Sequence, residues 1–271
     1  MGVRIGVVDV GSNTIRLLLA QVEGHEVVPL EKERVRLALG AEIERTGVVS
    51  DVSIAAAAKA VGKLCGLARR GGAETLDVFL TAPGRQSANS IALADAISRA
   101  ADHSVRILST EEEGRLAYAG AVATADVALP KQIAVCDVGG ASTEIAVGRP
   151  GSDPHWVESV DLGSVRLTER AADVDERRAE AANVFAAVKP PAVDIGLAVG
   201  GSARAARRLV GPWLGGPELA EAMRIVSAKR EETISRRYGV HRTRAKILPA
   251  GLVLLAEVGR ASCRERVLYR V

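Results

Sequence analysis

Short apolar runs punctuate the chain, and two of them lead into the same phrase. Ile5 to Val8 runs into Asp9-Val10-Gly11-Ser12-Asn13-Thr14 and resumes at Ile15 to Ala20. Ile133 to Cys136 runs into Asp137-Val138-Gly139-Gly140-Ala141-Ser142-Thr143 and resumes at Glu144 to Val147. Each copy predicts strand, tight turn, strand. After the first hairpin the alternation from Glu26 to Leu39 predicts one or two more strands. Helical spacing then predicts a helix from Asp51, as N-cap, to about Arg69, stopped by Gly71-Gly72. A strand over Leu76 to Thr81, a helix over Ser87 to Ala100, a strand over Val105 to Leu108 and a helix over Glu111 to Val122 follow. The pattern restarts at Gln132: the second hairpin, a strand near Trp156 to Val160, helices over Val165 to Val188, a strand over Ile195 to Val199 and helices to about Gly259.

The restart is an internal repeat. It predicts an α/β fold of two similar domains, 1–122 and 123–271, each a mixed sheet opening with a β-hairpin and flanked by helices, with the boundary near Ala123 to Lys131 and a ligand in the cleft between them. At 271 residues and 48% hydrophobic content the chain can fill such cores.

Charge and composition narrow the function. The formal net charge of +3 does not by itself mark a nucleic-acid binder, and aromatics at 3% leave no base-stacking platform, so no specific nucleic-acid partner is expected. Arg204, Arg207 and Arg208, then Lys229, Arg230, Arg236, Arg237, Arg242, Arg244 and Lys246, make the C-terminal half basic; they read equally as a polyanion surface or as solvated helix faces. Cys65, Cys136 and Cys263 are too few and too scattered for a disulfide framework or a zinc site. With no signal-peptide pattern and no apolar run of about 18 residues, a cytoplasmic protein without a membrane partner is expected.

The turns carry the candidate chemistry. Glycines beside hydroxyls let backbone N–H groups surround a phosphate, and a flanking carboxylate can hold a metal. Gly11, Ser12, Asn13 and Thr14, with Arg16 as charge partner, form one such grip. Gly139, Gly140, Ser142 and Thr143 repeat it, with Asp137 and Glu144 at both ends. A third turn, Gly200-Gly201-Ser202, joins a strand to a helix N-terminus and is a weaker anion signal. In Thr110-Glu111-Glu112-Glu113-Gly114-Arg115 spacing favours a capping box, Thr110 capping and Glu113 bonding back, over a general base. Arg85 and Asn89, between a strand end and a helix, read equally as phosphate contacts or as an ordinary turn and helix surface. None of the four histidines has triad or metal-ligand spacing, and no serine sits in a nucleophile elbow.

Taken in order, Asp9 to Leu17, Arg85 with Ala88-Asn89, Glu112 to Leu116, Asp137 to Glu144 and Leu162-Gly163-Ser164-Val165-Arg166-Leu167 resemble the exopolyphosphatase and guanosine pentaphosphate phosphohydrolase (Ppx/GppA) family. The likeness runs from the start of the chain to about Ser202. It implies an actin-like (RNase H-like) fold and hydrolysis of a terminal phosphoanhydride, releasing orthophosphate from inorganic polyphosphate; guanosine pentaphosphate hydrolysis, or a sensor that binds without turnover, is the alternative. By the same resemblance Glu113 becomes the base toward water, overriding the capping preference. Asp137 and Glu144, with Asp9, become ligands of Mg²⁺, and Gly11 to Thr14 and Gly139 to Thr143 the phosphate cradles. A homodimer is also implied. Ala141 stands where the family has a third glycine, Pro83-Gly84 departs from its Arg85 loop, and 261–271 is atypical.

Overall fold

The computed structural model describes residues 2–24, 26–125, 128–193, 195–262 and 269–270. His25, Cys263, residues 126 and 127 of the expected boundary stretch and most of the atypical tail lie outside the described residues. The chain separates into two compact units, 1–109 and 110–271.

The first unit runs β1 (Val3–Val10), β2 (Thr14–Glu23), β3 (Glu26–Arg36), α1 (Leu39–Thr46), α2 (Asp51–Arg70), β4 (Thr75–Leu80), α3 (Ala82–Gln86), α4 (Ser90–Ala101) and β5 (Val105–Ile107). Its five-stranded sheet has the order β3-β2-β1-β4-β5. The first three strands form an antiparallel meander, and β4 and β5 run parallel to β1. Period-2 alternation turns Val8, Val10, Ile15 and Leu17 to one face, where Ala57, Val61, Leu64 and Cys65 of α2 and Leu93 and Ile97 of α4 close the core.

The second unit runs α5 (Thr110–Ala123), β6 (Ile133–Val138), β7 (Thr143–Gly148), β8 (Trp156–Val160), α6 (Ser164–Arg170), α7 (Val174–Phe185), β9 (Ile195–Val199), α8 (Gly200–Val210), β10 (Trp213–Leu214), α9 (Gly216–Ala228), α10 (Glu231–Tyr238), α11 (Arg242–Ser262) and β11 (Tyr269–Arg270). The sheet order is β10-β11-β9-β6-β7-β8, the arrangement of the first sheet with β11 in the place of β5 and β10 added at the edge. Both β6 and β7 are almost wholly buried, because the sheet is covered on two faces. Cys136, Val138 and Ile145 face the core shared with Leu248, Leu252 and Leu255 of α11. Val135 and Ala146 face Tyr118 and Ala121 of α5.

That second layer explains why the division falls before α5 rather than after it. The sequence boundary at 122 followed the end of a helix, whereas the apolar face of α5 is buried on β6, β7 and β8. Other differences are local. Ser50, not Asp51, caps α2, its hydroxyl accepting from the Ser53 N–H at 3.3 Å, and Asp51 sits in the first turn, where its charge suits the helix dipole. The helix expected over Ser87 to Ala100 is α4, which begins three residues later at Ser90, and the loop before it forms a short helix of its own, α3. Helices α6 and α7 break at Ala171 to Asp173, where the Asp173 carboxylate caps α7 through the N–H groups of Asp175 and Glu176. Helix α1 and the short strands β10 and β11 carry too little periodic signal to be read from sequence. Among the described residues no helix is long and apolar enough to cross a membrane.

Candidate active site

Strand register assembles the second turn. β6 and β7 pair antiparallel with Asp137 opposite Glu144, β7 and β8 pair with Glu144 opposite Ser159, and β6 runs parallel to β9 with Asp137 beside Val199. The row Val199, Asp137, Glu144, Ser159 therefore crosses four strands on one face, with neighbouring side chains about 5 Å apart at Cβ. Glu144 is only 2% exposed. Its neighbour on the same face is the start of α5: a Cβ on Gly114 would lie 3.8 Å from Glu144 Cβ, so the missing side chain lets α5 close on the strand. Glu113 precedes that glycine.

The consequence is electrostatic. Burial, the Glu113 charge and the Asp137 charge push the Glu144 carboxyl up to about 8, against hydrogen bonds from the Ser142 and Ser159 hydroxyls that favour its charged form. Ser159 Oγ donates to Glu144 Oε1 at 2.9 Å. Burial and the same carboxylates hold the Cys136 thiol well above its ordinary range, so it stays a protonated core residue.

The turn itself is locked from behind by α6. Gly139 N–H donates to Ser142 O at 3.0 Å, closing the turn. Ser164 N–H donates to Gly139 O at 3.0 Å, Val165 N–H and Arg166 N–H donate to Gly140 O at 2.8 and 3.1 Å, and Ser164 Oγ donates to Gly139 O at 3.0 Å. In a trans peptide the N–H opposes the preceding C=O. The N–H groups of Gly140 and Ala141 therefore point away from α6, a two-amide nest of the kind that binds an anion. Ala141 does not loosen it: Asp102 is the one non-glycine with positive φ among the described residues, so the backbone at Ala141 suits any side chain.

The hydroxyls of this turn point elsewhere. Thr143, fully buried, donates to Leu162 O at 2.7 Å, and Ser142, 3% exposed, serves Glu144. Both were expected as side-chain phosphate contacts; the structure uses both hydroxyls inside the fold and leaves the backbone as the donor.

The first turn repeats this construction. Gly11 N–H donates to Thr14 O at 3.2 Å, and the carbonyls of Ser12 and Asn13 accept from Gly40 N–H at 2.7 Å and Leu37 N–H at 3.2 Å, so α1 and the residues leading into it back this turn, one position later than α6 backs the other. Asp9 pairs with Arg16 where Asp137 pairs with Glu144. The repeat thus conserves backbone and inverts one charge.

Arg85 and Asn89 have local duties. Arg85 Nη1 donates to Leu108 O at 2.8 Å. The Asn89 amide both accepts from Val49 N–H and donates to Val49 O, at 2.9 and 2.7 Å, which ties α4 to the start of α2. Neither side chain is displayed as an open phosphate clamp. Thr110, expected as the cap, is the first residue of α5, with Glu111, Glu112 and Glu113 in its first turn.

One contributor was not singled out by the sequence reading. Arg244, from the start of α11, reaches Ser202 Oγ at 3.3 Å and Ser164 Oγ at 3.4 Å and lies over Gly201. Gly200, at φ +87°, turns the chain into α8 where a Cβ would collide with Asp137 Oδ1; glycine is required there on both counts. The start of α8 thus lies against the Asp137 carboxylate, which its dipole favours. In the sequence Arg244 stood only among the basic residues of the C-terminal half, with nothing to single it out.

For a metal, the donor set is oxygen only. Among the described residues no group of three or more His, Cys, Asp or Glu side chains is placed to hold an ion unaided. Mg²⁺ takes one or two protein carboxylates together with water and substrate phosphates, so the neighbouring Asp137 and Glu144 fit that ion better than a metal needing an all-protein cage.

The Ppx/GppA phosphatase family model matches residues 18–208. Exopolyphosphatase 2 of Mycobacterium tuberculosis is 30% identical over 181 residues, covering 64% of this chain and 56% of that protein. Guanosine-5'-triphosphate,3'-diphosphate pyrophosphatase of Pseudoalteromonas atlantica is 29% identical over 182 residues, 66% of this chain and 36% of that protein. The chain thus matches about half or less of these relatives' length. The crystal structure of the Aquifex aeolicus Ppx/GppA family member superimposes with a TM-score of 0.81 at 20% identity, covering 100% of this chain and 94% of the other. An exopolyphosphatase from Cytophaga hutchinsonii gives 0.83 at 18% identity, covering 99% and 94%. The fold is therefore the actin-like one of these proteins. The chain belongs to the Ppx/GppA phosphatase family.

Proposed function

We propose that the protein hydrolyses a terminal phosphoanhydride, releasing orthophosphate from inorganic polyphosphate, with guanosine pentaphosphate as the second substrate to be tested. The observation that carries this reading is the convergence of Asp137, Glu144 and Glu113 beside a turn whose amides face away from α6. Phosphoryl transfer needs charge neutralisation and in-line placement more than covalent chemistry; in this reading the amides and an ion held by the carboxylates would supply the first and the base the second.

In this reading the N–H groups of Gly140 and Ala141 hold the equatorial oxygens of the terminal phosphoryl group. Glu113 accepts a proton from water as the water oxygen bonds to phosphorus. The bond from phosphorus to the bridging oxygen breaks, and the shortened chain leaves with that oxygen. Asp137 and Glu144 would hold Mg²⁺, which when bound neutralises charge on the phosphate oxygens. Ser142 and Ser159 orient Glu144. The first turn, Gly11 to Thr14, with Arg16, is read as a second phosphate grip, and Asp9 as a carboxylate for the metal.

The test is phosphate release from long-chain polyphosphate by the wild type and by Glu113→Ala. A fall of about a hundredfold or more in kcat is expected for loss of a general base. Equal rates would remove Glu113 from the mechanism. Competition between polyphosphate and guanosine pentaphosphate ranks the two substrates.

A further inference from the structure

Helix α8 has an outer face made of one residue type. Its exposed positions are Arg204, Arg207 and Arg208, the remainder being buried or half-buried, and the helix contains no acidic residue. Ser202, Ala203, Ala205 and Ala206 form the buried stripe. Their small side chains let α8 lie close against its neighbours while the arginines, at i, i+3 and i+4, share the opposite surface. Like charges at this spacing oppose helix formation by a few tenths of a kcal/mol per pair.

The arginines form part of a longer line. At the N-terminal end of α8, Arg244 lies over Gly201. At the C-terminal end the Arg208 guanidinium donates to the carbonyl of Gly239, the residue that ends α10. The last turn of α10 exposes Arg236 and Arg237, and Arg237 stands 5.6 Å from the centroid of the Tyr238 ring. The acidic residues of α10, Glu231 and Glu232, are at its other end, where Glu232 pairs with Arg242.

We infer that the arginine face of α8, continued by the last turn of α10, binds a linear polyphosphate chain beyond the phosphates held at the Gly139 to Thr143 turn. The choice of ligand rests on the phosphohydrolase reading; the surface itself rests on α8. Recognition is by charge on a repeating anion. Single-stranded nucleic acid is the poorer fit, because Trp213, just beyond α8, and Tyr238, beside Arg237, do not make the row of open rings that stacking of successive bases needs.

Binding of long-chain polyphosphate and of tripolyphosphate to the full chain, measured in EDTA so that no turnover occurs, tests this inference. Arg204→Ala/Arg207→Ala should weaken long-chain binding on the order of tenfold and reduce the slope of log K against log salt by about 1.5, two phosphate contacts being lost. Tripolyphosphate binding should change by less than about twofold, since so short a chain does not need the second surface. The double variant leaves the Arg208 bond to Gly239 intact, and Arg204→Lys/Arg207→Lys keeps the charge and should bind long chains within about threefold of wild type. Equal long-chain binding by the Ala pair, or single-stranded RNA bound as tightly as polyphosphate and weakened as much by the Ala pair, would overturn the inference. An enzyme that binds in this way yet releases no phosphate would overturn the hydrolytic reading and leave the surface standing.

Discussion

At the scale of single residues, the decisive group is Glu144. Its folded-state pKa of about 8 lies above the ordinary 4.5, so the folded protein keeps a proton that the unfolded chain has lost. Stability from this residue is full below pH 4.5 and is lost as pH rises toward 8. Glu144→Gln removes the titration while keeping the size of the side chain. In EDTA the variant should therefore melt higher than wild type at pH 8, by on the order of 5 °C, and show a flatter curve of Tm against pH between 5 and 8. The same substitution should abolish most phosphate release. A wild-type Tm that rises from pH 5 to 8, with no gain in the variant, would contradict the burial and charge crowding described for this residue. The residue level was also where sequence reading reached least far. Ser142 and Thr143 were legible as turn residues, but the inward direction of their hydroxyls depends on Glu144 and on Leu162, which lie outside the turn. Arg244 was invisible as a contributor because Ser164 and Ser202 are distant from it in sequence.

Secondary elements show why two similar turns came to differ. Each turn is backed by the N–H groups at the start of a helix, α1 or α6, so the amides left over face the other way. In the second turn the fit is tightest at Gly163, where a Cβ would collide with the backbone of Gly140 and Ala141. Gly163→Ala should displace the amide nest without unfolding the unit. Loss of kcat/KM by on the order of a hundredfold is expected for an ångström-scale shift, with far-ultraviolet circular dichroism unchanged. Gly216→Ala, at a position where a Cβ meets nothing, is the control and should retain full activity. Element type was largely legible: both hairpins, α2, β4, β8 and β9 follow from period and glycine placement. Boundaries followed less well, since Ser50 and not Asp51 caps α2 and α3 is a separate helix; caps are settled by which side chain can reach a free N–H, not by residue type alone.

At the level of the whole molecule the informative element is α5. Tyr118 is 1% exposed, and with Ala121 it closes a core with Ile133, Val135, Ala146 and Leu197. Burying a side chain of that size contributes on the order of 3 kcal/mol. A fragment beginning at residue 110 should accordingly fold cooperatively, whereas one beginning at residue 123 should expose the Val135 and Ala146 face, bind a hydrophobic dye and melt at least about 5 °C lower. Equal melting of the two would mean that α5 is an accessory helix.

By itself the sequence determined what is local: two Asp-Val-Gly turns between apolar runs, the repeat that announces two mixed sheets, and the absence of cysteine or histidine clusters. These depend on backbone period and on glycine, which act over a few residues. Only the tertiary structure decided that Asp137, Glu144 and Ser159 share one row, that Glu113 shares their electrostatic environment, and that Arg244 and Gly200 lie beside them. Those relations depend on strand register and on which face a helix buries, and both are set by packing between segments distant along the chain. The repeated phrase therefore specified a backbone twice; the fold made one copy, with Arg16 opposite Asp9, balanced in charge, and the other, with Glu144 opposite Asp137, acidic.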